Sequence, residues 1–280
     1  MKIIITEEQL KLIVEDRSSL YIINEDVLEK FGFDGVMGLY RKSGKSGIKF
    51  IGDLNILAWT SDYGLETKHL EMKKKWDILM SVAEQFFNEL VIVTGTLDIT
   101  DQRFKSFPKI IRLGALDGTN SSGLVNFPSL VKIDEWCLLQ YSYEVNLPEL
   151  VEVGAELVLH KSGIKELPKL VRAGFLNLNE CKNIKSLPEL VEIKYSDNYG
   201  EDSFEPNLRL TRSSVSDLPK LTRVEGEFEL YSNKHIYGMN QFPSLTYVGG
   251  EMDLRNTPLS DFITKESIKS KITVEGEIHL

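Results

Sequence analysis

Cysteine is nearly absent: Cys137 and Cys181 are the only two in 280 residues, too few for a disulfide framework, and both sit where a small buried apolar residue would serve. Histidine is almost as scarce. His69, His160, His235 and His279 show no metal-ligand spacing, and none lies at a motif distance from a cysteine that would suggest a nucleophile with its base. No apolar run approaches the ~18–20 residues that a membrane-spanning helix requires. The opening MKIIITEEQLKLIVEDR has too short an apolar stretch and too many acids for a secretory signal, so an intracellular, cytoplasmic protein is expected. Positive charge is in deficit, with 33 Lys and Arg against 42 Asp and Glu for a net charge of -9. That balance disfavours nucleic acid and anionic membranes as partners and points to a protein, a basic one in particular.

Two motifs come close to chemistry and fail on spacing. GLYRKSGKSG, residues 38–47, ends like a phosphate-binding loop, but five residues separate Gly38 from Gly44 where four are needed, so a flexible basic turn is expected. Asp197-Asn198-Tyr199-Gly200-Glu201-Asp202 lacks the alternating ligands and distal Glu of a calcium-binding loop. No metal and no cofactor are expected. The alternative is an enzyme whose residues converge from distant parts of the chain.

What the sequence has instead is a period. An apolar residue followed by proline recurs at Phe107, Phe127, Leu147, Leu167 and Leu187, four consecutive intervals of 20, and then at Leu218 and Phe242 after 31 and 24. Seven of the nine prolines occupy this slot. A fixed period of about 20–50 residues marks a repeat architecture in which each unit forms one coil of a stack. Within a copy, Leu157 and Leu159 alternate with Glu156, Val158 and His160, the period-two signature of a strand with one buried face. The same strand recurs at Leu97/Ile99, Leu116, Cys137/Leu139, Leu176/Leu178, Leu208/Leu210, Phe228/Leu230, Met252/Leu254 and Ile278/Leu280. Proline turns the chain away from the sheet and forces the residue before it into an extended, inward-pointing conformation. Small pairs such as Gly154-Ala155 and Gly249-Gly250 precede the strands, where close packing or a positive φ is needed. Twenty residues leave little room for a helix on the back of a coil.

The phrase Leu157-x-Leu159-x-x-Ser162-x-Ile164-x-x-Leu167-Pro168 resembles the leucine-rich repeat. A small residue such as Gly154, Gly226 or Gly250 replaces the repeat's first Leu, which looks like the short repeats of bacterial and phage proteins and of receptor L-domains. The resemblance covers about residues 92–280 and implies one parallel sheet. It also implies a ladder of hydrogen bonds from the polar slot after each strand, held here by Gln102, Ser162, Cys181, Ser213, Asn233 and Thr257. The expected class is an α/β, mostly β solenoid: residues 1–91 form an N-terminal helical cap with a first repeat strand at 48–56, and residues 92–280 form the repeat stack. Cap helices are expected from Thr6, with Gln9 completing a capping box, and over 67–90, with Leu70, Trp76, Leu79, Met80, Ala83, Phe86, Phe87 and Leu90 on one side.

At the far end, ITVEGEIHL forms a last strand whose open edge docks on a partner or pairs in a homodimer, unless residues 262–273 fold over it. The copy of 31 residues carries an insertion, YSDNYGEDSFEP at 195–206, in which Tyr199 and Phe204 stand among acids in a manner that suits a protein contact as well as a tolerated surface loop. Side chains alternating with the buried leucines define an exposed face. Its binding candidates are Glu156, His160, Asn177, Asn179, Arg209, Glu227, Glu229, Tyr231, Glu251, Asp253 and Arg255. Stacking sets Glu227 and Glu229 beside Glu251 and Asp253, so an uncompensated acidic surface is expected there, either kept for solubility or offered to a basic protein. The expected function is protein recognition without catalysis. MKIIITEEQLKLIVE also looks like the N-termini of uncharacterised proteins from tailed bacteriophages and their hosts, which implies an inhibitor of a host protein or, alternatively, a virion or assembly component.

Overall fold

The computed structural model describes residues 19–55, 81–100, 106–195 and 205–280. Its core is one parallel sheet of 17 short strands, made by a chain that comes back to the same place once per coil. The first rungs are Leu20–Asn24, Gly47–Ile51 with Leu54–Asn55, Leu90–Asp98, Arg112–Asp117, Lys132–Ile133 with Cys137–Leu138, Glu152–Val158 and Arg172–Asn177. Past the insertion they continue as Glu192–Ile193 with Leu208–Arg209, Arg223–Val224 with Phe228–Glu229, Tyr247–Val248 with Met252–Asp253, and Thr273–Val274 with Ile278–His279. Each rung pairs in parallel with the one before it, Leu157 with Cys137, Leu176 with Leu157 and Leu208 with Leu176. The class is a mostly β, solenoid-like stack. No helix among the described residues is long and apolar enough to cross a membrane.

The alternation read from the sequence decides what is buried. Leu157, Leu159, Leu176, Leu178, Leu208, Leu210, Phe228, Leu230, Met252 and Leu254 are all fully buried, whereas Leu280 on the last rung is 37% exposed. The residues before the prolines stack as a second spine, with Phe107 and Phe127 parallel at 4.8 Å between ring centroids. The glycines ahead of the strands are there for close approach. A Cβ on Gly114 would fall on the Thr94 carbonyl oxygen and one on Gly249 on that of Glu225, while neither has a positive φ. On another side of the coil, Leu124–Asn126 and Glu144–Asn146 form a small parallel sheet in which Asn146 Nδ2 donates to Asn126 Oδ1 at 2.7 Å.

After each strand the chain turns through a left-handed residue that is not glycine: Asn120, Tyr141, Lys161, Glu180, Arg212, Ser232 and Asn256 have φ between 52° and 60°. The turn is held from both sides. Its amide donates to the next coil, as from Lys161 N to Asn179 O at 3.0 Å and from Ser232 N to Arg255 O at 2.9 Å. The residue that follows is a buried small or polar one, Ser121, Ser142, Ser162, Cys181, Ser213, Asn233 or Thr257. Three of these bond across coils, Ser142 Oγ donating to Gly118 O at 2.8 Å, Cys181 Sγ to Leu159 O at 2.9 Å and Asn233 Nδ2 to Val215 O at 2.8 Å, while Ser121 and Thr257 donate within their own coil. Gln102 lies outside the described residues.

The sheet reaches further upstream than the 48–56 strand, because Leu20–Asn24 pairs with Gly47–Ile51. Between these rungs runs a helix, Glu25–Ser43, started by the Asn24 side chain accepting from Val27 N and ended by Gly44 at φ 66°. Residues 38–43 are therefore the last turns of a helix and not the basic turn expected there, since Tyr40 continues the packed face of Phe33, Val36 and Met37 up to the glycine cap. Residues 81–89 are also helical, and Phe33, Phe86 and Phe87 meet at 5.2–5.6 Å in a cluster continued through Phe87 and Phe107 at 6.2 Å into the repeat core. Of the expected cap residues, Ala83, Phe86, Phe87 and Leu90 are buried; Thr6, Gln9, Leu70, Trp76, Leu79 and Met80 lie outside the described residues. Residues 262–273 do not fold over the last rung. They form the back of the final coil, with the short helix Lys265–Lys269 and with Ile268 and Ile272 in the core.

Two substitutions check this frame. Phe127→Ala removes a stacked, fully buried ring and is expected to cost about 3–5 kcal/mol in urea unfolding. Ser232 pays the steric cost of the left-handed region, so Ser232→Gly is expected to gain up to about 1 kcal/mol and Ser232→Val to lose about 1–2 kcal/mol, read as opposite shifts in unfolding midpoint.

Candidate functional site

The face of the sheet that points away from the core carries two columns of side chains, one from each arm of the rungs. In the first arm the stacking partners alternate in sign from Lys132 onward, while Arg112 and Lys132, in register with each other, share Asp134. Glu152 sits in register with Lys132 and Arg172, and Arg172 with Glu192. Lys132 Nζ lies 3.1 Å and Arg172 Nη2 2.8 Å from the same Glu152 oxygen, and Arg172 Nη1 lies 3.9 Å from Glu192. Burial alone would raise the Glu152 pKa, but the two cations hold it below the usual carboxylate range. Further along, Arg223 pairs with Glu225 at 2.6 Å and stacks on Tyr247 with its guanidinium 3.7 Å from the ring centroid. This column was not among the expected binding residues, although its alternating charges recur at intervals of 20 in the sequence.

The second column holds most of the expected residues. Glu229 and Asp253 are register neighbours, as the stacking argument requires, but they are not an uncompensated acidic surface. Arg209 Nε stands 2.6 Å from Glu229 Oε1, Arg255 Nη2 2.7 Å from Asp253 Oδ2, and His279 Nε2 3.1 Å from Glu251 Oε2. Glu227 is held by Asn207, whose Nδ2 donates to it at 3.2 Å. Like charges one strand apart repel strongly enough that each acid is answered by a local base or amide. Burial raises the Asp253 pKa, but the hydrogen bonds and the charge of Arg255, with His279 adding to them, together bring it below its ordinary value. For Glu229 burial, with Glu227 adding to it, outweighs Arg209, and its pKa is raised.

The columns do not form one continuous site. His160 meets Tyr141 edge to face at 5.2 Å, Asn179 Oδ1 accepts from Thr211 N at 2.8 Å, and Arg255 lies 5.7 Å from the Tyr231 ring centroid. What the fold does bring together is Glu156, Asn177 and Arg209, on three consecutive rungs, around a recess of about 440 Å³. Val158 and Phe175 form its apolar wall, and Glu205 and Asn207 close it where the chain returns from the insertion. Phe175 faces outward by alternation with the buried Leu176 and stands opposite Glu156. The Arg209 guanidinium lies 5.3 Å from the Phe175 ring centroid. Phe175, Glu205 and Asn207 were missed from sequence, although Phe175 alternates with Leu176 and Leu178 as any outward residue would. Tyr199 and Phe204 lie outside the described residues.

A second, shallower depression of about 450 Å³ runs along the turns and is lined in part by Tyr141, Tyr143, Lys161 and Lys182. Tyr141 is 52% and Tyr143 79% exposed, a prominence that no repeat position announces. Burial pushes both thiols up, Cys137 strongly, so neither is poised as a thiolate. Among the described residues no group of three or more His, Cys, Asp or Glu is placed to hold a metal ion. No protein-family model, curated protein or solved structure matches this chain.

Glu152 and Glu156 give opposite pH signatures. The folded-state pKa of Glu152 is depressed, so its stabilisation is present above the unfolded carboxylate value and is lost as pH falls through the folded one; Glu152→Gln is expected to cost about 1–3 kcal/mol at pH 7. Burial raises the Glu156 pKa, so its ionisation opposes folding at neutral pH, and that penalty disappears as pH falls toward the unfolded value. Glu156→Gln is expected to raise Tm at pH 7 and to match the parent near pH ~4. Thermal unfolding at both pH values reads both effects.

Proposed function

We propose that this chain is a non-enzymatic protein-recognition module of the short leucine-rich type, using the outward face of its parallel sheet. The observation that carries the reading is the recess at Glu156, Phe175 and Arg209, which places charged, amide and aromatic groups on interior rungs of the sheet, each paired on both sides. A long sheet braced by a continuous core offers a surface that loses little entropy on binding. The division into a cap at 1–91 and a repeat stack at 92–280 belongs to the same proposal. The shared Phe87–Phe107 contact supports a cap packed directly on the first repeats.

The resemblance of the opening residues to proteins of tailed bacteriophages favours, within this proposal, a protein acting on a host protein in the bacterial cytoplasm. A virion or assembly component is the competing role. Capture from bacterial lysate and from purified phage particles distinguishes the two. The native chain is compared with a face variant carrying Glu229→Lys, Glu251→Lys and Asp253→Lys, and with a turn-side variant, Tyr143→Ser. A protein retained by the native chain and by the Tyr143 variant, lost by the face variant and weakened between about 0.05 and 0.5 M salt, is the expected result. Equal retention by the native chain and the face variant would place recognition off the sheet face.

A further inference from the structure

On a face where Glu152, Glu192, Glu225, Glu229 and Asp253 each meet a lysine or arginine, Glu227 an amide and Glu251 a histidine, Glu156 and Glu205 meet no such group among the described residues. Both line the recess. No cation or hydrogen-bond donor among the described residues reaches the side chain of Glu156, and burial raises its pKa unopposed. Glu205 at the mouth has no ion pair among the described residues either, and its backbone carbonyl accepts from Asn207 N at 2.8 Å. The one base in the wall, Arg209, is committed to Glu229 at 2.6 Å and to the Phe175 ring.

A half-buried carboxylate without a partner costs stability, whereas Glu152, four residues earlier on the same strand, is neutralised by Lys132 and Arg172. Sites of function are where such local inconsistency is kept. The recess has the size of a small binding site and an apolar wall that suits the methylene stem of a long side chain. Its carboxylates repel an anion.

Resting on the protein-recognition reading, we propose that the recess receives a lysine or arginine side chain of a protein partner. The aliphatic stem lies along Val158 and Phe175, and the charged head is bound by Glu156 and Glu205. Asn177, the remaining amide of the wall, faces the same space.

The test is selection of a random-peptide display library on the full chain, followed by titration of the enriched peptides. Those peptides are expected to share a basic residue at one position. Replacing it with glutamine is expected to weaken binding at least about tenfold, as is Glu156→Gln in the protein, while Glu29→Gln, an exposed acid on the helix Glu25–Ser43, stays within about twofold. Because Glu156→Gln is expected to raise Tm, a loss of binding cannot be assigned to misfolding. Enriched peptides with no basic residue, peptides indifferent to Glu156→Gln and Glu205→Gln, or a library that yields no binder each overturn the proposal. Tighter binding of spermidine than of any selected peptide assigns the recess to a small polyamine and also overturns it. Peptides that bind the face without a base leave protein recognition standing, and the capture experiment decides that separately.

Discussion

Every coil of this protein depends on its neighbours for its backbone hydrogen bonds. Strands of two to seven residues, such as Cys137–Leu138 and Glu152–Val158, carry too few contacts to persist alone. Their amides find acceptors one coil away: Leu139 N donates to Val158 O, Leu159 N to Asn177 O and Leu178 N to Arg209 O, each at 2.9 Å. Register is therefore the governing constraint, because a slip of one residue would turn every buried leucine outward. The interval of 20, the inward residue before each proline, the glycines that let backbones touch and the left-handed turns all serve to bring the chain back in phase.

In-register stacking has an electrostatic price. Equivalent side chains on successive rungs lie roughly 4.8 Å apart, so a repeat that copied its charges faithfully would stack like on like. The first arm avoids this by alternating sign through Lys132, Glu152, Arg172 and Glu192. The second arm tolerates acids on consecutive rungs at Glu229 and Asp253 because each has a base close by. Against that pattern the unpartnered Glu156 stands out as a departure with a location, at the recess beside the one large insertion in the stack.

Much of the stack was legible in the sequence, for a physical reason: apolar residues at fixed spacing report directly on burial, and Leu157/Leu159 through Met252/Leu254 are buried as the alternation requires. Other features left no such mark. The left-handed turn falls on Asn, Tyr, Lys, Glu, Arg and Ser, whose backbone is fixed by hydrogen bonds from the adjacent coil and not by residue type. Leu20–Asn24 was hidden because its partner rung begins at Gly47, beyond a 19-residue helix. The exposed face was legible as a list of positions, but its pairing was not. Whether Glu229 is answered by Arg209 depends on side chains from rungs 20 residues apart, and the recess draws its walls from three rungs together with Glu205 and Asn207.

The account stands most directly on register, and excision of one repeat tests it. Removing residues 147–166 joins Asn146 to Leu167-Pro168 and keeps the phase of the stack, whereas removing residues 147–160 joins the same Asn146 out of phase. Thermal unfolding followed by far-ultraviolet circular dichroism should show the 20-residue excision still folded and cooperative, at a somewhat lower Tm, and the 14-residue excision without a cooperative transition. Equal stability of the two, or loss of folding in the in-phase one alone, would contradict the claim that coil-to-coil register holds this protein together.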